Sequence, residues 1–209
     1  MKKAVLLLSG GMDSAVTLYM AMRRGYKVHC MIFDYGQRHK KEIYYAKRLA
    51  RHAGCDYIVL KIKLPWRKSA LLDKDLPIPD RKRLRGIPIT YVPGRNTIFL
   101  SFAISYAEAT NSKVIFIGAN AIDFSGYPDC RPIYFKRFNN LVKEAIKARN
   151  IRIEAPLLYK SKKEIVRLGK KLGVPFEMTW SCYRGGKLPC GRCDACRLRQ
   201  LGFERSEAK

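Results

Sequence analysis

Acidic side chains are scarce in this chain of 209 residues: 17 Asp and Glu stand against 42 Lys and Arg, a formal charge of +25. That imbalance attracts polyanions through a long-range field and counterion release, so RNA, phosphates or both are expected partners. A solvated basic surface, as in a heat-adapted protein, accounts for the same count without any partner. The charge belongs to no single arm or tail, because Arg23-Arg24, Arg81 to Arg85, Lys160 to Lys163 and Lys170-Lys171 are spread along the sequence.

Long apolar runs are missing too. The opening Met-Lys-Lys is followed by five apolar residues, 4–8, before Ser9-Gly10-Gly11 interrupts them. Five residues are too few for the core of a signal peptide or for a membrane span, so a cytoplasmic protein with no membrane partner is expected. An odd total of seven cysteines, four of them crowded into 182–196, argues against a secreted disulfide framework; reduced thiols and a metal fit better. There is no internal repeat, no low-complexity tract and no length for two large domains.

What is present reads as an α/β fold. Short apolar or β-branched runs at 4–8, 27–33, 57–61 and 113–117 alternate with helical periodicity at about 14–24, 40–53 and 97–110. Such alternation predicts a Rossmann-like, mostly parallel sheet with helices on both faces. Later helices are predicted at about 133–149 and 161–172, the second opened by a Ser161…Glu164 capping box. Residues 63–92, rich in proline and basic residues, read as a long loop or lid.

The stretch VLLLSGGMDSAVTL, residues 5–18, runs from a buried strand through a glycine turn into a helix, the arrangement that presents backbone N–H groups to a phosphate. It lacks the lysine of GxxxxGK[ST]. Gly10 and Gly11 admit an anion close to the backbone, Ser9 and Ser14 offer hydroxyls, and Asp13 beside a phosphate calls for a cation, Mg²⁺ being the natural one. A glycine turn followed by an Asp-Ser helix cap needs no ligand, and that reading stays open on these residues alone.

Cys182, Cys190, Cys193 and Cys196 form a C-x7-C-x2-C-x2-C pattern. Four thiolates close a tetrahedral site with no position left for water, which favours one structural Zn²⁺; repeated C-x2-C leaves a [4Fe–4S] alternative. The expected organisation is a phosphate-binding α/β domain over 1–175 with a small zinc-binding segment, 176–209, packed on it and fixing Trp180, Tyr183 and Arg184 against the ligand edge. Cys30 and Cys55 read as buried or incidental.

Three more stretches concentrate polar residues and glycine: FDYGQRHKKE (33–42), TYVPGRNTIFLSFA (90–103) and IGANAIDFSGYPDCRPIY (117–134). Arg38, Lys40, Arg95 and Arg131 supply cations for an anionic transition state at phosphorus. Asp34, Asp123 and Asp129 suit magnesium or the donor edges of a base, and Tyr35, Phe124 and Tyr127 offer stacking faces. Each of these alone is equally well explained by packing or solvation.

SGGMDS resembles the SGGxDS loop of the PP-loop ATP pyrophosphatases. That resemblance implies cleavage between the α- and β-phosphates of ATP, pyrophosphate held by Leu8, Ser9, Gly10, Gly11, Met12, Asp13 and Ser14, and Lys162 facing the phosphates. A solvated helix residue is the plain alternative for Lys162. Taken in order, the loop together with FDYGQRHKKE, YVPGRNTIFLSFA, GANAIDFSGYPDCRP, SKKEI and TWSCYRGGKLPCGRCDACRLR is similar to the 7-cyano-7-deazaguanine synthase family over nearly the whole chain.

This narrower resemblance implies ATP-dependent conversion of 7-carboxy-7-deazaguanine and ammonia to the nitrile through adenylates, in queuosine and archaeosine biosynthesis. It also implies one zinc, magnesium with the ATP, and a homodimer. Asp13, Arg95 and Lys162 become the candidate catalytic residues; Asp34, Tyr35, Arg38, Asp123, Tyr127, Asp129 and Arg131 become candidate substrate contacts. The absence of a glutaminase segment agrees with free ammonia. The charge keeps two further readings in view: a PP-loop enzyme modifying a tRNA base directly, and a non-enzymatic zinc-bearing RNA-binding module, so that tRNA is a possible but unrequired partner.

Overall fold

The computed structural model describes residues 2–80, 86–121 and 126–207. Five parallel strands, β1 (Lys2–Leu7), β2 (Tyr26–Asp34), β3 (Asp56–Lys61), β4 (Val114–Ile117) and β5 (Arg152–Glu154), lie in the order β3-β2-β1-β4-β5. The helices are α1 (Met12–Arg23), α2 (Lys41–His52), α3 (Arg95–Ala109), α4 (Pro132–Ala145), α5 (Lys162–Lys171) and α6 (Asp194–Glu207). No described helix is long and apolar enough to cross a membrane.

The central strand explains the layering. Successive side chains of a strand point to opposite faces, and β1 is apolar at every position from Ala4 onward. Val5 and Leu7 join a core with Leu100 and Ala103 of α3 and Phe135 and Val142 of α4. Ala4 and Leu6 join a second core with Val16 of α1, Ala46 of α2 and Ile165 of α5. A strand buried on both sides has to be covered by helices on both sides, as the sequence predicts.

Two elements differ from their sequence expectation. The helix predicted to run to 149 ends at Ala145, and the chain then forms β5, which the sequence conceals. Only one residue of β5, Ile153, is buried; Arg152 and Glu154 on either side are ion-paired to each other at 2.8 Å, and Glu154 also holds Arg24 at 2.8 Å. Three residues with one apolar side chain carry no legible strand period.

The segment predicted as a loop or lid contains no helix or strand among its described residues, yet it is anchored. Ser69, Ala70 and Leu71 are buried, and the Arg38 guanidinium donates to the carbonyls of Ala70, Asp73, Lys74 and Leu76 at 2.8–3.2 Å. The basic cluster at 81–85 lies outside the described residues.

Candidate functional site

Strand β1 is the switch point of the sheet, with one neighbour, β2, leading to β3 and the other, β4, leading to β5. Leu7 pairs with Met31 on one side and Ile117 on the other, so β1 and β4 end level while β2 runs on to Asp34. Open parallel sheets bind ligands beyond such ends. Here a cavity of about 260 Å³ opens, floored by Leu7, Leu8, Met31 and Ile117.

The phosphate loop forms one wall. Gly11 leads into α1 with no side chain capping the helix, which leaves the first turn's positive end to the cavity. The loop is braced from within: Ser9 Oγ lies 3.0 Å from Ser14 Oγ, Ser14 Oγ donates to Gly11 O at 3.0 Å, and Thr17 Oγ1 donates to Asp13 O at 2.8 Å. Two glycines are required by neighbours. Gly10 has φ of +76°, and a Cβ there would sit 2.8 Å from the Ala46 amide of α2; a Cβ on Gly118, after β4, would sit 2.8 Å from the Ser14 amide.

Lys162 enters this wall from α5. Its helix begins in the predicted capping box: Ser161 Oγ accepts from Glu164 N–H at 3.3 Å, and Ser161 N–H donates to Glu164 Oε2 at 2.8 Å. Lys162 is buried and its Nζ lies 2.6 Å from Asp13 Oδ2. Asp13 Oδ1 is buried with no hydrogen-bond partner among the described residues. A lone buried carboxylate oxygen beside a phosphate loop fits a hard divalent cation such as Mg²⁺.

The opposite wall is a recess around Arg95. Gly94, with φ of +62°, turns the chain into α3, and Asp129 Oδ2 accepts the Asn96 N–H at 3.1 Å, so a residue of the 128–130 turn caps the helix that carries Arg95. The guanidinium lies over the rings of Tyr35 and Phe99, each 5.9 Å away, and 3.4 Å from Tyr35 Oη. Burial works against its charge, but Tyr35, Asp129 and Glu42 around it more than offset that and its pKa is raised.

Burial pushes the Tyr35 phenol up to about 12 although Arg95 pulls the other way. Burial likewise raises Asp129 against the bond from Asn96, and lifts Glu42 from its ordinary 4.5 to about 7 with Arg95 opposing. The cause is the recess itself, which is lined by aromatic and aliphatic side chains.

Of the residues singled out from sequence, the cavity brings together Leu8, Ser9, Gly11, Met12, Asp13, Ser14, Tyr35, Arg95, Tyr127, Asp129 and Lys162. Gly10 lies behind the loop against α2. Three candidates are placed elsewhere: Asp34 is paired with Lys40, Arg38 is committed to the loop carbonyls, and Arg131 is exposed just before α4. Asp123 and Phe124 lie outside the described residues. The cavity also recruits Glu42, Asn96 and Arg199; Glu42 was legible as the last residue of FDYGQRHKKE, but its run of lysines reads as solvated helix.

The four cysteine sulfurs lie within 4.8 Å of one another, and Cys182, Cys193 and Cys196 are buried, so the described residues hold a ready set of thiolate ligands for a metal. Burial opposes ionisation of Cys190, but N–H groups of Cys193 and Arg192 and the neighbouring sulfurs bring it down to about 7. The cluster is tied to the cavity. Trp180 N–H donates to Gly10 O at 2.8 Å, Trp180 Nε1 donates to Cys182 O at 2.8 Å, and Gly202 of α6 packs on the Lys162 Cβ side. Trp180 and Tyr183 thus reach the ligand edge as expected, whereas Arg184 turns away to Ile78 O and Asp80.

A family model described as queuosine biosynthesis protein QueC matches residues 3–207. The chain is 51% identical to a 7-cyano-7-deazaguanine synthase of Thermoplasma acidophilum, over 97% of this chain and 87% of the relative. It is 48% identical to one of Coxiella burnetii, over 100% and 96%. Among solved structures, a 4-thiouridine synthetase–RNA complex with bound ATP superposes with a TM-score of 0.52 at 19% identity, covering 99% of this chain and 54% of that one. Likeness at that identity speaks for the fold.

Proposed function

The chain belongs to the QueC family, and from that premise we propose that it converts 7-carboxy-7-deazaguanine and ammonia to 7-cyano-7-deazaguanine at the expense of ATP. The observation that carries the reading is one cavity with a phosphate loop and the Asp13–Lys162 pair on one wall and the Arg95 recess on the other. An acid activated by a nucleotide needs both: a place for polyphosphate and, a few ångströms away, a place for a carboxylate-bearing ring.

The chemistry has a simple demand. A carboxylate becomes a nitrile by losing two oxygens, and neither leaves as hydroxide near neutral pH, so each is first made the oxygen of an adenylate. Ammonia displaces the first AMP to give an amide, and loss of the second AMP from the activated amide gives the nitrile. In this reading the N–H groups at the start of α1 and Lys162 hold the departing pyrophosphate, while Arg95 orients the oxygen being activated. Tyr35, Phe99 and Tyr127 supply flat walls for the ring. Magnesium, held at Asp13, would neutralise phosphate charge.

The metal on the cysteines is read as zinc with a structural role. Zinc–thiolate bonds of about 2.3 Å place tetrahedral sulfurs about 3.8 Å apart, and Cys190 and Cys196 Sγ are 3.9 Å apart. An iron–sulfur cube interposed among four thiolates spreads them further.

The test is ATP–pyrophosphate exchange, with labelled pyrophosphate returning to ATP only when 7-carboxy-7-deazaguanine is present. Exchange driven by the free acid supports the reading. Exchange that appears only with tRNA supports the second reading, direct modification of a tRNA base, which the +25 charge favours.

A further inference from the structure

Glu42 is unlike the other carboxylates of the cavity. Asp13 is held by Lys162, and Asp129 by the Asn96 amide. The Glu42 side chain lines the same cavity from the start of α2, yet makes no hydrogen bond or ion pair among the described residues. Its backbone is fixed, because the Glu42 carbonyl packs directly against Gly10 of the phosphate loop. Glu42 thus stands, partly exposed, in the wall of the cavity that also holds the loop and Arg95, and Arg95 is the cation that acts on its carboxyl.

Building on the reading above, we propose that Glu42 is the catalytic base that takes a proton from nitrogen in each half of the reaction. When ammonia attacks the acyl adenylate, a C–N bond forms, the C–O bond to AMP breaks with its electron pair leaving on AMP, and one N–H proton passes to the Glu42 carboxylate. Adenylation of the amide oxygen then expels pyrophosphate and sheds a second proton from nitrogen to solvent, leaving an imidate; as the imidate collapses, the C–O bond to AMP breaks with its electron pair leaving on AMP, and the last N–H proton passes to Glu42 as the C≡N bond forms. Between the two steps the carboxyl returns its proton to solvent through the cavity mouth.

The surroundings suit that task. The groups facing Glu42 are Arg95 from α3 and Tyr35 from the turn after β2, with Arg38, His39 and Tyr183 around a small gap on its far side. Burial dominates over the attraction of Arg95 and brings the carboxyl to about 7. A base poised there accepts a proton readily and gives it up again near neutral pH. Asp129 and Asp13, already bonded, are held for charge and position instead.

The experiment uses the amide, 7-amido-7-deazaguanine, with Mg·ATP and the full-length zinc-loaded chain, which removes the titration of ammonia itself from the pH profile. Wild-type nitrile formation is expected to fall on the acid side with an apparent pKa near 7. Glu42→Gln is expected to lower kcat by about a hundredfold or more, to flatten that acid limb, and to keep amide-dependent ATP–pyrophosphate exchange within a few-fold; Glu42→Asp should retain part of the rate together with the limb.

A Glu42→Gln enzyme of near wild-type kcat, or one whose defect lies in KM alone, overturns the assignment and leaves Glu42 as a contact to the ring. Loss of exchange together with nitrile formation overturns it too, as a defect of binding. If wild-type protein makes nitrile from neither acid nor amide, the reading of the reaction falls first and the assignment with it.

Discussion

Lys162 Nζ and Asp13 Oδ2 meet at 2.6 Å across 149 residues of sequence, joining the first helix of the fold to the fifth at the edge of the phosphate loop. Both side chains are largely withdrawn from solvent, at 9% and 19% exposure, so removing one partner strands a charge. Lys162→Ala should therefore cost activity at least a hundredfold and stability by about 3 kcal/mol. Asp13→Asn should abolish turnover while leaving a folded protein. Thermal melts beside turnover assays check both; wild-type rates in either variant remove that residue from the mechanism.

The raised pKa of Glu42 makes a stability prediction independent of turnover. Its folded value, about 7, lies above the ordinary 4.5, so between those limits the folded protein binds more protons than the unfolded chain. Stability from this group is full below about pH 4.5 and is lost as pH rises through 7. Glu42→Gln, which cannot ionise, should be more stable than wild type at pH 8, by on the order of 1–3 kcal/mol, and show little difference at pH 5. Urea denaturation at the two pH values reads this directly; a variant less stable at pH 8 contradicts it.

At the C-terminal end, Cys193→Ser should lower bound zinc and Tm together, because three thiolates leave an incomplete tetrahedron. Elemental analysis and a melting curve suffice. Unchanged metal content counts against the four-thiolate site. Trp180 N–H is bonded to Gly10 O, so loss of the metal should also weaken nucleotide binding.

Gly10→Ala tests the close approach of the loop to α2. The new Cβ would meet the Ala46 amide at 2.8 Å at a residue with φ of +76°, and backbone on both sides has little room to yield. The cost should be about 2 kcal/mol or more, measured by chemical denaturation, with ATP binding weakened further than stability alone explains.

Arg38 was a candidate substrate cation in the sequence and is an anchor in the structure, donating to four carbonyls of the 70–76 segment. Arg38→Ala should expose that segment to proteolysis and to amide exchange before the rest of the fold opens. An unchanged exchange pattern there would return Arg38 to the list of ligand contacts.

These cases show where the sequence is readable. The capping box at Ser161 and Glu164, the glycine turn after β1 and the C-x2-C spacings are local patterns whose chemistry follows from neighbours in the chain. The layering is equally plain, because β1 is apolar on both faces. Partners 32–38 residues apart, as for Arg38, leave no such trace. Glu42, set among Lys40, Lys41 and Lys47, has the local appearance of a solvated helix, and only the packing of α2 against Gly10 brings it to the cavity wall. β5 is hidden because the sheet needs so little from it: a single buried Ile153 between two ion-paired residues.

The most direct measurement is mass-spectrometric. The zinc-loaded protein is incubated with 7-carboxy-7-deazaguanine, ¹⁵N-ammonium and Mg·ATP, and the products are followed over time. The account predicts the ¹⁵N-labelled nitrile, with AMP formed twice for each nitrile and the labelled amide rising and falling between them. ADP in place of AMP, or an active preparation that leaves the acid untouched, would contradict it.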